Sequence, residues 1–303
     1  MKTKPRVHAL FAVCLFAALN HPIFIFAQGS LTPPGAPAPT MKTLAQIEPR
    51  TPISGPLPLT ISSAGSYYLT TNLTGVIGTN GITIIANNVT LDLNGFTLQG
   101  VLLASWTGLY VSGTRTNITV RNGTISGWGQ HGVFAGTFAN LSENIVFERL
   151  TVSANSGMGI GGAGCAVRDC EASVNGSYGI YVAPGVVSGC FVLRNGQSGI
   201  YIDGAGSEII GNTCKGNNAT GDAGNAGIYI NNNNNRIEAN HVTDSGYAGI
   251  RVAPSSINNI IIKNSVIGNG VNNYVTPNVQ VVGPLITTTG TITNSNPWAN
   301  FSF

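Results

Sequence analysis

The sequence predicts an all-β fold, a single-stranded parallel β-helix of about nine or ten coils, from three observations. A glycine-led tetrapeptide recurs at a solenoid period, short alternating strands lie between its occurrences, and helix-favouring residues are scarce. Of the 303 residues, 43% are hydrophobic, only 8% are charged and 40 are Gly. So much apolar surface with so little charge belongs to a folded chain, and the shortage of Lys, Glu and Met argues against helices.

The tetrapeptide appears as Gly81-Ile82-Thr83-Ile84, Gly108-Leu109-Tyr110-Val111, Gly132-Val133-Phe134-Ala135, Gly159-Ile160, Gly179-Ile180-Tyr181-Val182, Gly199-Ile200-Tyr201-Ile202, Gly227-Ile228-Tyr229-Ile230 and Gly249-Ile250-Arg251-Val252. Successive steps of 27, 24, 27, 20, 20, 28 and 22 residues average 24, inside the window that marks stacked repeats. Between them lie second strands such as Val120-Arg121-Asn122, Val167-Arg168-Asp169, Ile210-Gly211-Asn212 and Ile262-Lys263-Asn264. Two or three short strands and no helix-length pattern leave a unit that cannot close on itself, so each must stack on the next. Leucine-rich repeats would show Leu-x-x-Leu-x-Leu runs and propeller blades need about 40 residues, which leaves the parallel β-helix. At about 4.8 Å per coil the stack is roughly 45 Å long.

Turn chemistry points the same way. Asn155, Asn175 and Asn195 each stand four residues before the next signature glycine, and Asn217 and Asn269 occupy comparable turns. Asn tolerates left-handed backbone and can hydrogen-bond to the coils above and below, forming a ladder.

The front of the chain reads differently. Lys2, Lys4, Arg6 and His8 precede an apolar run from Ala9 to Leu19, and Ile25-Phe26-Ala27 ends in a small residue; residues 1–27 are expected to be a secretory signal peptide. Asn20, His21 and Pro22 cut the run short of a membrane span. The leader holds three of the 14 Lys and Arg and none of the 11 acidic residues, so the remainder is neutral. No basic stripe for nucleic acid is expected. Residues 28–60 form a Pro-rich linker, as in Pro33-Pro34-Gly35-Ala36-Pro37-Ala38-Pro39. Met41, Leu44 and Ile47 after Thr40 suit a one-turn capping helix ended by Pro49. Residues 61–303 are assigned to the β-helix, with the Asn294 to Asn296 stretch and Phe301 to Phe303 as a cap protecting its last edge.

Several stretches carry a family resemblance: Asn88-Val89-Thr90-Leu91-Asp92-Leu93-Asn94-Gly95-Phe96-Thr97-Leu98, the Gly-Ile-x-Val signatures, Val167-Arg168-Asp169-Cys170-Glu171-Ala172-Ser173-Val174-Asn175, and the terminal Asn296-Pro297-Trp298-Ala299-Asn300-Phe301. On these the chain resembles the right-handed parallel β-helix proteins of the pectin-lyase-like superfamily, in a bacterial exported subgroup. The resemblance implies the fold and an exported or envelope location. It implies little about activity, because this architecture hosts lyases, hydrolases, adhesins and proteins without known chemistry.

Polysaccharide cleavage on such a scaffold needs a carboxylate cluster around Ca²⁺ with a basic residue, or paired acids flanking the bond. The family's galacturonan-hydrolase pattern is not met: its Asp-Asp element is missing, Gln130-His131-Gly132 only grazes the Gly-His-Gly element, and Arg236-Ile237-Glu238 reverses the last charge. Asp92, Asp169, Asp203, Asp222 and Asp244 are spread over separate coils, so no catalytic residue is assigned. Asp92 reads as a structural turn residue, and His131, beside Trp128, as a surface loop histidine. Four cysteines follow the leader. Cys170 and Cys190 lie one 20-residue coil apart, close enough for a disulfide, though buried reduced thiols are the expected state. Neither a metal site nor a cofactor is expected.

Alternation gives the binding hypothesis. With the two apolar residues of each signature pointing inward, the residue between them points out, building the column Thr83, Tyr110, Phe134, Gly161, Tyr181, Tyr201, Tyr229, Arg251. Asp203 and Asn231 follow two residues on, and the longest coil inserts Asn217 to Ala226, with Asp222, just before the same face. The candidate carbohydrate site is therefore Tyr181, Tyr201, Asp203, Asp222, Tyr229, Asn231 and Arg251, since aromatic and hydrogen-bonding groups together suit sugar rings. An extracellular polysaccharide is the expected partner. A divergent polysaccharide lyase or glycoside hydrolase, and a purely structural repeat whose tyrosines only pair between coils, are the competing readings.

Overall fold

The computed structural model describes residues 47–102, 104, 106–136, 142–277 and 279–303. Two compact units divide the chain, 1–47 and 48–303. The expected signal peptide, most of the linker and all of the capping turn but Ile47 lie outside the described residues. The second unit is all strand and turn.

Its strands stack in parallel on three faces of a continuous coil. The first face has ten strands, from Leu59–Ile61 and Ile82–Ile84 through Ile180–Val182, Ile200–Ile202 and Ala226–Ile230 to Asn272–Val275. The second includes Cys165–Arg168, Gly185–Ser188 and Arg236–Glu238, and the third Glu171–Ser173, Phe191–Leu193 and His241–Thr243. Thr116–Ser126 and Glu143–Ser153 are long enough to run through both of these faces. The signature glycines open the first face. Pairing begins before residue 61, since Thr51–Ile53 pairs with Gly65–Leu69 and Leu59–Ile61 with Ile82–Ile84. The segment expected to be linker therefore ends in strands. Asn300–Ser302 pairs with Ser265–Ile267 and Leu285–Ile286, so the terminal residues extend the stack.

Alternation sorts the side chains. Ile82, Leu109, Val133, Ile160, Ile180, Ile200, Ile228 and Ile250 are fully buried in one continuous core with Ile118, Val120, Phe147, Val152, Val192 and Val242. Burial of apolar area on this scale is the main driving force for folding. Trp128 is also fully buried, its indole N–H donating to the Leu98 carbonyl at 3.0 Å. All four described cysteines are free and buried, and burial pushes the Cys165 thiol up to about 12.

Corners are built by one left-handed residue followed by one that turns inward. On one edge the left-handed residues are Gly127, Ala154, Val174, Arg194, Gly216, Asp244 and Gly268, preceding Trp128, Asn155, Asn175, Asn195, Asn217, Ser245 and Asn269. Here the asparagines form the expected ladder. The Asn175 backbone N–H and side-chain Nδ2 donate to Asn195 Oδ1 at 3.0 and 2.9 Å, and the same pair of bonds joins Asn155 to Asn175 and Asn195 to Asn217. Asn195 Nδ2 also donates to the Ala172 carbonyl, 3.0 Å away. The ladder explains the signature glycine, because a Cβ at Gly159 would lie 2.6 Å from Asn175 Nδ2 and one at Gly179 2.5 Å from Asn195 Nδ2. Two further ladders went unread in the sequence: Asn212, Asn240, Asn264 and Asn300 at the second corner, and Asn235, Asn259 and Gln280 at the third.

Asp92 is the structural residue that was expected. Only 6% exposed, it accepts from the Asn94 N–H at 2.9 Å and pairs with Arg121 at 3.2 Å and Arg50 at 3.6 Å.

Two substitutions test this construction by urea denaturation. Asn195→Ala strips partners from Asn175, Asn217 and the Ala172 carbonyl, and should lower stability by about 2–3 kcal/mol. Val174, β-branched, exposed and at φ 56°, is strained, so Val174→Asn should raise stability by about 1 kcal/mol.

Candidate functional site

The outward column of the first face is present in register. Thr83 pairs with Tyr110, Tyr110 with Phe134, Phe134 with Gly161, Gly161 with Tyr181, Tyr181 with Tyr201, Tyr201 with Tyr229 and Tyr229 with Arg251. Parallel in-register pairing puts identical positions about 4.8 Å apart, so the rings meet. Tyr181 and Tyr201 stack with centroids 5.6 Å apart and planes 8° apart, and Tyr201 and Tyr229 follow at 5.0 Å. The Arg251 guanidinium closes the row 4.9 Å above the Tyr229 ring, a cation–π contact.

Stacking corrects the picture of an exposed aromatic stripe. Tyr181 and Tyr229 are only 6% and 8% exposed, because Tyr181 packs against Tyr201 and Tyr178, and Tyr229 lies between Tyr201 and Arg251. Alternation settles which side of the sheet a residue occupies and says nothing of the plane of its ring.

A fifth participant, Tyr178, was missed because it stands before the signature glycine. Its ring centroid is 4.5 Å from that of Tyr201 and 6.0 Å from that of Tyr181. The signal that could have found it is its position three residues ahead of Tyr181, beside the column.

Polar groups edge the row. The Tyr181 hydroxyl donates to Asp203 Oδ2 at 2.6 Å, and Asn231 Nδ2 donates to Asp203 Oδ1 at 2.8 Å, so both carboxylate oxygens are engaged. Tyr178, Tyr201 and Tyr229 make no internal hydroxyl hydrogen bond among the described residues, and none of their oxygens is a buried unsatisfied atom, so these hydroxyls reach solvent. Arg251 pairs with no carboxylate there. Asp222 is not brought to the row by any direct contact. It closes its own loop, accepting from the Gly224 N–H at 2.8 Å and Asn225 Nδ2 at 2.9 Å, while its N–H donates to Asn218 Oδ1.

Burial raises the Tyr181, Tyr201 and Tyr178 phenols above their ordinary range. For Tyr181 burial comes first and the hydrogen bond to Asp203 second; for Tyr201 burial is followed by the Tyr178 phenol and the Asp203 carboxylate, and for Tyr178 by the Asp203 carboxylate and the Tyr229 phenol.

His131, expected in a surface loop, is half-buried. Its Nδ1 accepts the Met158 N–H at 3.0 Å, and its ring stacks on Phe134 at 5.2 Å. Among the described residues no three His, Cys, Asp or Glu side chains converge as metal ligands, and no helix is long and apolar enough to cross a membrane.

A three-cornered parallel stack with asparagine corners and one outward aromatic row defines the class as a β-helix repeat protein. Residues 107–266 and 167–296 match the family model for the right-handed β-helix region, and the chain belongs to that family. No curated protein matches it in sequence. Among solved structures it is similar to ORF18 of Geobacillus virus E2, at 13% identity over 71% of this chain and 49% of that one, with a TM-score of 0.57. The A-module of the Azotobacter vinelandii mannuronan C-5 epimerase AlgE6 is similar at 15% identity over 81% of this chain and 74% of that one, with a TM-score of 0.50. The chain thus spans about half the length of the viral protein. At such identities the likeness is one of fold.

Absorbance titration tests the electrostatics. Against an ordinary phenol pKa of about 10, Tyr181 should ionise late, and Asp203→Asn should bring it to lower pH; an unchanged titration would show that the carboxylate does not govern it. Because these acids have folded pKa values raised above the unfolded one, their contribution to stability is complete below about pH 10 and lost as pH rises further.

Proposed function

We propose that this chain is an exported or envelope-associated β-helix that binds an extended polysaccharide along its tyrosine row without cleaving it. The observation that carries this reading is the edge of that row: solvent-reaching hydroxyls of Tyr178, Tyr201 and Tyr229 beside Asn231 and an Arg251 guanidinium with no carboxylate partner. Sugar hydroxyls and ring oxygens match such groups, and an acidic sugar adds a carboxylate for the guanidinium. The AlgE6 module, a mannuronan C-5 epimerase module, shares the fold, which makes acidic polysaccharides the first probes. The basic and apolar leader in residues 1–27 supports export. Cleavage is disfavoured because, among the described residues, Asp203 stands beside the row without a second carboxylate, Asp222 being held in its own loop, and hydrolysis takes a pair of acids.

The test is affinity electrophoresis and calorimetry against polymannuronate, polygalacturonate, dextran and galactomannan. Retention by at least one polymer is expected, and Tyr201→Ala with Arg251→Ala should weaken it about tenfold or more, roughly 1.4 kcal/mol. Tyr201 and Arg251 are chosen because they are half-buried, so the fold should survive their loss. Release of unsaturated or reducing ends from any of these polymers, with or without Ca²⁺, would favour the lyase or hydrolase reading instead.

A further inference from the structure

The first face carries a second aromatic group, nearer the start of the stack and separated from the tyrosine row by Gly161. Tyr110 and Phe134 continue the outward column, their centroids 6.2 Å apart and planes 23° apart. With Asn80, Trp106, Gln130 and His131 they line a cleft of about 310 Å³, at the lower end of the range for small-ligand sites.

The chemistry of this cleft differs from that of the row. Trp106 is 51% exposed, so part of its indole remains open to solvent. Two of its neighbours are hydrogen-bond donors fixed by their internal bonds. Asn80 Oδ1 accepts the Thr107 N–H at 3.0 Å, which leaves its amide Nδ2 as the outward group. His131 Nδ1 accepts the Met158 N–H at 3.0 Å, so the neutral ring carries its proton on Nε2. Burial lowers the His131 pKa, which keeps that tautomer at neutral pH. The Gln130 side chain, exposed, has no hydrogen bond among the described residues. An exposed indole beside fixed donors fits a sugar ring, whose C–H face packs on the aromatic surface while its oxygens accept the hydrogen bonds.

Geometry links the two sites. They sit on one in-register sheet, with Phe134 two strands from Tyr181 and Tyr110 six strands from Arg251. At about 4.8 Å per strand these separations are roughly 10 Å and 29 Å. We propose that the Trp106, Tyr110, His131 and Asn80 cleft is a second sugar subsite, and that the ligand is a polymer lying along the helix axis and occupying both sites at once. This rests on the carbohydrate reading of the tyrosine row and adds a minimum ligand length to it. A chain long enough to bridge makes its second contact intramolecularly and gains affinity that a short fragment cannot.

The experiment measures affinity by calorimetry for size-graded oligomannuronates and oligogalacturonates from about two to about twelve sugars. Native protein should bind the longest fragments at least roughly tenfold more tightly than the shortest. Trp106→Ala with Gln130→Ala, two exposed positions whose loss leaves the core intact, should abolish that length-dependent gain while leaving the short fragments bound. Tyr201→Ala with Arg251→Ala should weaken fragments of every length. If the Trp106 and Gln130 variant keeps the native length dependence while the Tyr201 and Arg251 variant loses binding, the second subsite is overturned and the tyrosine row stands. Equal affinity for short and long fragments in the native protein overturns the bridging ligand. Failure of these fragments and of all four polymers named above to bind overturns both.

Discussion

Everything in this fold depends on how a coil satisfies the polar groups at its corners. A parallel strand hands its hydrogen bonds to the strand above and below, but a corner interrupts that pattern and leaves amides facing the interior, where an unpaired group costs about 1–3 kcal/mol. The asparagine corners share one solution: a left-handed residue turns the chain, and the following asparagine side chain accepts the N–H of its counterpart in the previous coil. Asn can do this indefinitely because one side chain both accepts and donates. The repeat is thus held by a column of amides as much as by its column of isoleucines.

That solution leaves coil length unconstrained. The Asn155 to Asn175 rung spans 20 residues and the Asn212 to Asn240 rung 28, with nearly identical hydrogen-bond lengths. Extra residues are put out into loops, as in the 218–225 segment, which Asp222 and Asn218 close upon themselves. Insertion of this kind costs only loop entropy, which grows slowly with length. The variable steps between signature glycines, which look irregular in the sequence, are compatible with strict register in space.

The inward half of the structure was legible because it obeys period two: each Gly-Ile-x-Val block announces its own buried residues, and its neighbours in the stack follow by alignment. The first asparagine ladder was legible because it keeps a fixed distance from those glycines. Asn212, Asn240 and Asn264 keep no such distance, since loops of differing length intervene, so their ladder emerges only when the coils are superposed. Tyr178 and Trp106 escaped for a related reason. They lie ahead of the glycine, where chain direction changes and alternation no longer assigns a side. Pro52, read as linker, proved to lie in a strand, Thr51–Ile53, which proline tolerates at a sheet edge.

Register also explains why the aromatic row is less open than its spacing implies. Rings about 4.8 Å apart are close enough to stack, and stacking contributes on the order of 0.5–1.5 kcal/mol per pair, so a continuous run of tyrosines turns its faces inward upon itself. Gly161 interrupts the run: it places no side chain between Phe134 and Tyr181, and Met158 Sδ and Phe134 Cδ2, which would lie 3.1 and 3.2 Å from a Cβ there, close over it, so the rings fall into two groups. A single small residue in an outward column therefore governs whether a β-helix face reads as one sealed stack or as separate sites at a spacing set by the coil rise. Surface chemistry can change this way without disturbing either the isoleucine core or the corner amides, because outward positions share neither.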